Sequence, residues 1–142
     1  MALIKIHLYY EGKPRNPSAN RMAEEYVKRT TRYLHCAMRE IRPGRFDPWE
    51  RHPAAVKILL DPDGRTLDSA AFTALVARAE REARDLVFLV GGADGLPAHW
   101  RPRADLLLSL SPLTFPHELA RVMLAEQIYR AATTLRGHPY PR

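Results

Sequence analysis

Residues 86–97 (LVFLVGGADGLP) and 104–135 (ADLLLSLSPLTFPHELARVMLAEQIYRAATTL) decide the fold of this chain. Each stretch carries an apolar run, Leu86–Val90 and Leu106–Leu110, typical of a buried strand. The first run ends in a glycine-rich loop and the second in a loop of serine and proline. Because ligands bind beyond the carboxyl ends of parallel strands, these two loops are expected to form the walls of one small-molecule site.

Strands and helices alternate along the rest of the chain. Leu3–Tyr10 alternates apolar and polar residues, which predicts a first strand, and a helix from Ala19 to about Tyr33 follows with Ser18 as its cap. Further predicted elements are a strand at Leu34–Ile41, a strand at Ala55–Leu60 with a turn after it, and a helix from Thr66 or Asp68 to about Arg84. A last helix is predicted to begin at or just after Pro116 and to run to about Leu135. Alternating elements imply a mainly parallel sheet, and residues 1–142 are expected to form one domain.

The last predicted helix is apolar around most of its circumference. The apolar residues are Leu119, Val122, Met123, Leu124, Ala125, Ile128, Ala131, Ala132 and Leu135. A helix of this kind is covered on both sides, and in a domain with one sheet a second subunit is the simplest outer cover. The pattern therefore predicts a homodimer through this helix.

Composition limits the class of protein. The chain has 142 residues, 46% of them hydrophobic, and no apolar run approaches the roughly 20 residues of a membrane-spanning helix. Its start alternates rather than resembling a signal peptide, so a cytoplasmic location is expected. Cys36 is alone and is expected to be a buried apolar residue, so neither a disulfide framework nor a cysteine metal site is predicted.

The charge balance leaves two interpretations open. The net charge is +6, mostly from arginine, which suits a polyanionic partner such as RNA but is also typical of an arginine-rich proteome. Pro43–Pro53 interleaves Arg45 and Arg51 with Phe46 and Trp49, which favours either a nucleic-acid contact or a surface loop with its aromatic rings tucked in.

Several ordered motifs resemble one methyltransferase family. They are LLDPDG (Leu59–Gly64), FLVGGADGL (Phe88–Leu96), LSLSPLTFPHELARVMLAEQIYRA (Leu108–Ala131) and HPY (His138–Tyr140). Together they resemble the RlmH family, SPOUT-class enzymes that methylate large-subunit ribosomal RNA. The resemblance implies an α/β SPOUT fold, with a mainly parallel sheet of five to six strands flanked by helices. It also implies a C-terminal trefoil knot at roughly residues 86–135 and a homodimer with the last helix in the interface.

The resemblance also assigns the cofactor site. The cofactor is S-adenosylmethionine, and the implied site residues are Leu60, Gly91, Leu110, Ser111, Pro112, Leu113, Thr114 and Phe115. The residue types suit this ligand, because apolar side chains can enclose adenine while loop backbone groups contact its polar edge. Gly91 and Gly92 would allow the backbone to approach the ligand closely. No metal is implied.

The implied reaction is methyl transfer to N3 of a pseudouridine in a 23S rRNA stem-loop at the ribosomal subunit interface. The imide nitrogen must lose a proton, and the candidate catalytic residues are His138, Tyr140 and Arg142, acting in their own or the partner's cofactor pocket. The candidate substrate-binding residues are Arg121 and His117. Arg121 could instead pair with Glu118, and His117 could be structural.

Two departures from the family leave alternatives open. The family's tail continues as HPYH followed by a basic residue, whereas this chain has Pro141, and Pro43–Pro53 replaces a longer charged segment. The chain could therefore be a non-catalytic RNA- or ribosome-binding module, or a methyltransferase redirected to another RNA. A dinucleotide-binding dehydrogenase is disfavoured, because the glycines follow the fourth strand and lack the GxGxxG spacing.

Overall fold

The computed structural model describes residues 3–140, which build a five-stranded parallel sheet with the strand order β2-β1-β4-β3-β5. The strands are β1 (Lys5–Glu11), β2 (His35–Ile41), β3 (Val56–Thr66), β4 (Leu86–Val90) and β5 (Leu106–Ser109). The helices are α1 (Pro17–Thr30), α2 (Pro48–Arg51), α3 (Ser69–Glu82) and α4 (His117–Leu135), with 3₁₀ turns at Pro43–Arg45 and Ala98–Arg103. A parallel sheet flanked by helices confirms the predicted fold class; the knot stays a prediction.

The sheet is covered unequally on its two faces. On one face α1, α3 and α4 enclose the main core, which includes Ile6, Phe88 and Leu108. On the other face the short segments between β2 and β3 and between β4 and β5 bring Phe46, Trp49 and Trp100 over Tyr9 and Leu89. Every residue of β4 is buried, as its unbroken apolar run predicts.

Helix α4 lies between α1 and α3. Arg121 near its start donates to Asn20 Oδ1 of α1 at 2.8 Å, and Arg136 just after its end pairs with Glu80 of α3 at 2.6 Å. One face of α4 stays open in the monomer, where Leu119 is 46% exposed and Met123 is 45% exposed. The helix is therefore buried over most, but not all, of its circumference.

Two local predictions need correction. Asn16 rather than Ser18 caps α1, because its Oδ1 accepts the Ala19 N–H at 3.1 Å and Pro17 occupies the first turn. Strand β3 does not stop at Leu60 but continues to Thr66, since both Leu60 and Arg65 pair with Leu108 of β5 around a bulge.

The bulge of β3 depends on a glycine. A Cβ at Gly64 would lie 2.6 Å from the carbonyl oxygen of Leu107, so only glycine allows this approach of β3 to β5. The bulged residues that precede it include Asp61 and Pro62, which stand at the carboxyl edge of the sheet.

Cys36 is 5% exposed, as predicted, and burial raises the pKa of its thiol to about 12. Within residues 3–140, no helix combines the length and the apolar character needed to span a membrane.

A pair of histidines on the second face of the sheet predicts a loss of stability in acid. The rings of His7 and His52 lie 4.3 Å apart, and the Tyr9 hydroxyl is 2.7 Å from His52 Nε2. Burial, and then the neighbouring His52, lower the pKa of His7 from 6.5 to about 4. As the pH falls from 6.5 to 4, the unfolded chain therefore binds a proton that the folded chain does not. The free energy of unfolding should decrease over this range by about 3 kcal/mol at most.

Urea unfolding at pH 7, 5.5 and 4 measures this effect. His7→Gln should flatten the decrease, because glutamine does not titrate. His99→Gln, at an exposed histidine, is the matched control and should leave the decrease unchanged. Equal slopes for wild type and His7→Gln would contradict the assignment to His7.

Candidate functional site

A cleft of about 440 Å³ opens at the carboxyl edge of the sheet, between the bulge of β3 and the loops that follow β4 and β5. The lining residues are Leu60, Asp61, Pro62, Val90, Gly91, Gly92, Ala93, Asp94, Gly95, Leu96, Leu108, Ser109, Leu110, Ser111, Leu113, Thr114, Phe115, His117 and Ala120. All the sequence-predicted cofactor residues except Pro112 line this cleft. The two loops expected to form its walls do lie opposite each other, and β3 adds a third wall.

The glycine-rich wall requires glycine because of its own backbone. A Cβ at Gly91 would lie 2.8 Å from the Leu96 nitrogen, and a Cβ at Gly92 would lie 3.1 Å from the carbonyl oxygen of Glu11. Gly95, with φ of +76°, makes the turn that folds this loop back on itself. The glycines therefore permit close packing within the loop and against β1, rather than only the approach of a ligand.

The wall from β3 is held by an ion pair that sequence reasoning did not identify. Asp61 directly follows Leu60, and its carboxylate is 2.8 Å from Arg101 Nη1 in the 3₁₀ turn before β5. The Asp61 side chain is only 11% exposed, whereas that of Arg101 is 45% exposed. A carboxylate directly after a buried strand was the available signal, but its partner 40 residues later could not be deduced from spacing.

The loop after β5 is shaped by its two serines. Ser109 Oγ donates to the carbonyl oxygen of Ser111 at 2.8 Å, and Ser111 Oγ accepts the Leu113 N–H at 3.0 Å. These bonds turn the chain before Pro116 and leave the Leu113 side chain 74% exposed beside the cleft. The loop thus presents both backbone groups and an apolar side chain at the mouth of the cleft.

The two predicted substrate-binding residues lie in different surroundings. His117 is exposed and lines the cleft. Arg121 is 2% exposed, stacks over the Tyr10 ring at 3.9 Å and lies 3.8 Å from Glu118. The Arg121 guanidinium thus contacts Tyr10 and Glu118 within the chain, in line with the ion-pair alternative. We therefore do not retain Arg121 among the proposed substrate contacts.

The tail residues lie at the far end of α4 from the cleft. The His138 N–H donates to the Thr133 carbonyl at 2.9 Å, and its ring is 5.5 Å from that of Tyr33. The cleft adjoins the first turn of α4, and a helix of 19 residues is about 28 Å long. The structure therefore does not bring the tail to the cleft of its own subunit.

The side chain of Tyr140 is fixed against α4. Its hydroxyl donates to Glu126 Oε2 at 2.8 Å, and its ring packs 4.5 Å from that of Tyr129. Burial and this bond to Glu126 raise the pKa of Tyr140 well above its ordinary value. Tyr140 is therefore a protonated hydrogen-bond donor at neutral pH. Arg142, the third predicted catalytic residue, lies outside the described residues.

Solved structures share the arrangement of this fold at low sequence identity. A protein of Bacillus anthracis described as a candidate RNA methyltransferase aligns over 96% of this chain and 99% of its own, with a TM-score of 0.59 and 16% identity. The SpoU methyltransferase AviRb of Streptomyces viridochromogenes, solved with bound S-adenosylmethionine, aligns over 93% of this chain and 61% of its own, with a TM-score of 0.52 and 14% identity. These similarities support the fold.

Sequence comparison is more specific. Residues 4–141 match the family model described as predicted SPOUT methyltransferase. Ribosomal RNA large subunit methyltransferase H of Solibacter usitatus is 63% identical over 139 residues, which is 98% of this chain and 100% of that protein. The protein of the same name from Brucella abortus is 53% identical over 89 residues, which is 62% of this chain and 53% of that protein. The chain therefore belongs to the SPOUT family of S-adenosylmethionine-dependent methyltransferases and, within it, to the RlmH family.

Proposed function

We propose that this protein transfers a methyl group from S-adenosylmethionine to large-subunit ribosomal RNA, at N3 of a pseudouridine in the 23S rRNA stem-loop at the subunit interface. The observation that carries the proposal is the 63% identity to ribosomal RNA large subunit methyltransferase H over the full length of that relative. The choice of base rests on the family resemblance of the motifs quoted above.

The cleft fits the cofactor in size and chemistry. Its volume of about 440 Å³ lies within the range of small-molecule sites. Leu60, Leu110 and Phe115 provide apolar surface for adenine, and a Cβ added at Gly91 or Gly92 would press on the backbone that forms this wall. When bound, the cofactor supplies a methyl group on a positively charged sulfur.

The chain's own residues must hold the base and remove the N3 proton. Tyr140 already donates a hydrogen bond to Glu126 and stays protonated. We therefore propose that it helps to orient the substrate and does not act as the base. His138 is the described tail residue that can accept the proton, and its imidazole is exposed. Arg142 would stabilise the negative charge that develops on the imide.

A homodimer would allow the tail of one subunit to reach the cleft of the other. The open face of α4 carries Leu119 and Met123, and Met22 on the adjacent α1 is 51% exposed. A two-fold dimer through this face buries these side chains, and an isologous contact along α4 can bring the end of one helix beside the start of the other. We therefore propose that the tail of each subunit acts at the partner's cleft.

Methyl transfer to ribosomes that lack the family's modification tests the proposed activity. We expect labelled methyl to appear on a pseudouridine of the large-subunit RNA, as mapped by mass spectrometry of nuclease fragments. Label on a different nucleotide would contradict the target and indicate a redirected methyltransferase. No label with retained S-adenosylmethionine binding would contradict catalysis and indicate a non-catalytic RNA-binding module.

A further inference from the structure

Four exposed cationic residues lie on the β1–β2 side of the edge that holds the cleft. Lys13 and Arg15 belong to the loop between β1 and α1, and Arg42 and Arg45 belong to the segment that follows β2. We call these four residues the basic rim. None of them forms an ion pair with another residue in the part of the chain that the structure describes.

Strand register places the two halves of the rim side by side. Glu11 and Ile41, the last residues of β1 and β2, are paired in the sheet, so both chains leave it at neighbouring positions. Lys13 and Arg42, which are far apart in the sequence, therefore follow neighbouring strand ends. Parallel pairing also ensures that both loops emerge at the carboxyl edge rather than at opposite edges.

The rim is connected to the cleft by direct hydrogen bonds. Glu11 Oε1 accepts the Gly92 N–H at 2.9 Å, which joins the end of β1 to the glycine-rich wall. Glu118 Oε1 accepts the N–H groups of Arg15 and Asn16 at 2.9 and 3.1 Å, which joins the β1–α1 loop to the first turn of α4. The backbone that carries Lys13 and Arg15 therefore has a fixed position relative to the cleft.

Cations outside the rim balance two of the carboxylates that lie near it. Glu118 lies 3.8 Å from the Arg121 guanidinium, and Asp47 lies 4.0 Å from that of Arg103. Glu11 and Glu40, at the ends of β1 and β2, reduce the charge of the four rim cations but do not cancel it.

We infer that the basic rim binds the phosphodiester backbone of the substrate RNA next to the nucleotide that enters the cleft. This inference rests on the proposed function. It assigns RNA contact to only one part of the proline-rich segment Pro43–Pro53. Arg45 belongs to the rim. Arg51 lies farther along the segment, on the second face of the sheet, and precedes His52, whose ring contacts the side chains of Tyr9 and His7. Exposed cations that contact phosphates release counterions, so the affinity should depend on salt.

The test compares two double variants that each remove two positive charges. Lys13→Gln with Arg42→Gln neutralises one residue from each half of the rim. Lys5→Gln with Arg81→Gln neutralises two exposed cations at the opposite, amino edge of the sheet, at the start of β1 and near the end of α3. Binding to ribosomes that lack the modification is measured with S-adenosylhomocysteine present, across a range of salt concentrations.

The rim variant should bind ribosomes roughly 10- to 100-fold more weakly than wild type at 0.1 M salt, with a salt slope smaller by about two. The matched variant should stay within about twofold of wild type, and both should keep the wild-type affinity for S-adenosylmethionine. Equal binding by the two variants would overturn the inference while leaving the methyl-transfer proposal intact. Rim-dependent binding by a protein that transfers no methyl group would instead refute the proposed function and support the rim.

Discussion

Deletion of residues 138–142 is expected to lower methyl transfer by about a thousandfold, the typical contribution of a general base or a positioned acid–base group. S-Adenosylmethionine affinity should stay within about twofold of wild type, because residues 138–140 are not among those that line the cleft. The deletion removes the contacts of Tyr140 with Glu126 and Tyr129 but leaves the ion pair between Glu126 and Arg130, at 2.8 Å, in place. Single-turnover kinetics and calorimetric titration with the cofactor provide the two measurements.

The matched point variants are His138→Gln and Tyr140→Phe. The first removes the proposed proton acceptor, and the second removes only the hydroxyl that donates to Glu126. If His138 takes the proton, His138→Gln should lose most of the rate at every pH, while Tyr140→Phe should retain the wild-type pH profile at a lower rate. Full activity after the deletion would show that the tail has no catalytic part.

Mixed dimers decide whether the tail acts across the subunit interface. One subunit carries the tail deletion and an intact cleft, and the other carries an intact tail and the Gly91→Val substitution. Activity in such mixtures is expected only if the tail of one subunit serves the cleft of its partner. Inactive mixtures, or a protein that stays monomeric in sedimentation at all concentrations, would contradict the proposed arrangement.

Gly91→Val is expected to weaken S-adenosylmethionine binding by roughly 100-fold, since overpacking of this kind costs about 1–3 kcal/mol. The physical reason lies inside the wall, because the new Cβ would lie 2.8 Å from the Leu96 nitrogen and both groups belong to backbone. The loop must therefore shift, and the cleft that it lines changes shape. Calorimetric titration gives the affinity, and thermal melting reports whether the fold survives.

Gly44→Val is the control for this substitution. A Cβ at Gly44 would meet nothing within 4 Å, and Gly44 lies outside the cleft lining. The control should bind the cofactor as wild type does. Wild-type affinity in Gly91→Val would remove Gly91 from the cofactor site and would show that the loop tolerates displacement.

The sequence by itself determined most of the strands and helices and the edge at which the site lies. The apolar run of β4, the capping Asp68 of α3 and the start of α4 after Pro116 are local features, set by burial, side-chain caps and the fixed φ of proline. The glycine-rich and serine–proline loops could be predicted as cleft walls because parallel strands end at one edge of a sheet.

Only the tertiary structure decided how residues far apart in sequence meet. It buried Arg121 against Tyr10, paired Asp61 with Arg101, and placed Lys13 beside the segment of Arg42. These contacts depend on strand order and register, which local periodicity does not encode, because the same alternating pattern is compatible with several orders of the strands. For the same reason the sequence could indicate the tail as a candidate catalytic group but not its position. In the structure the tail lies at the opposite end of α4 from the cleft of its own subunit.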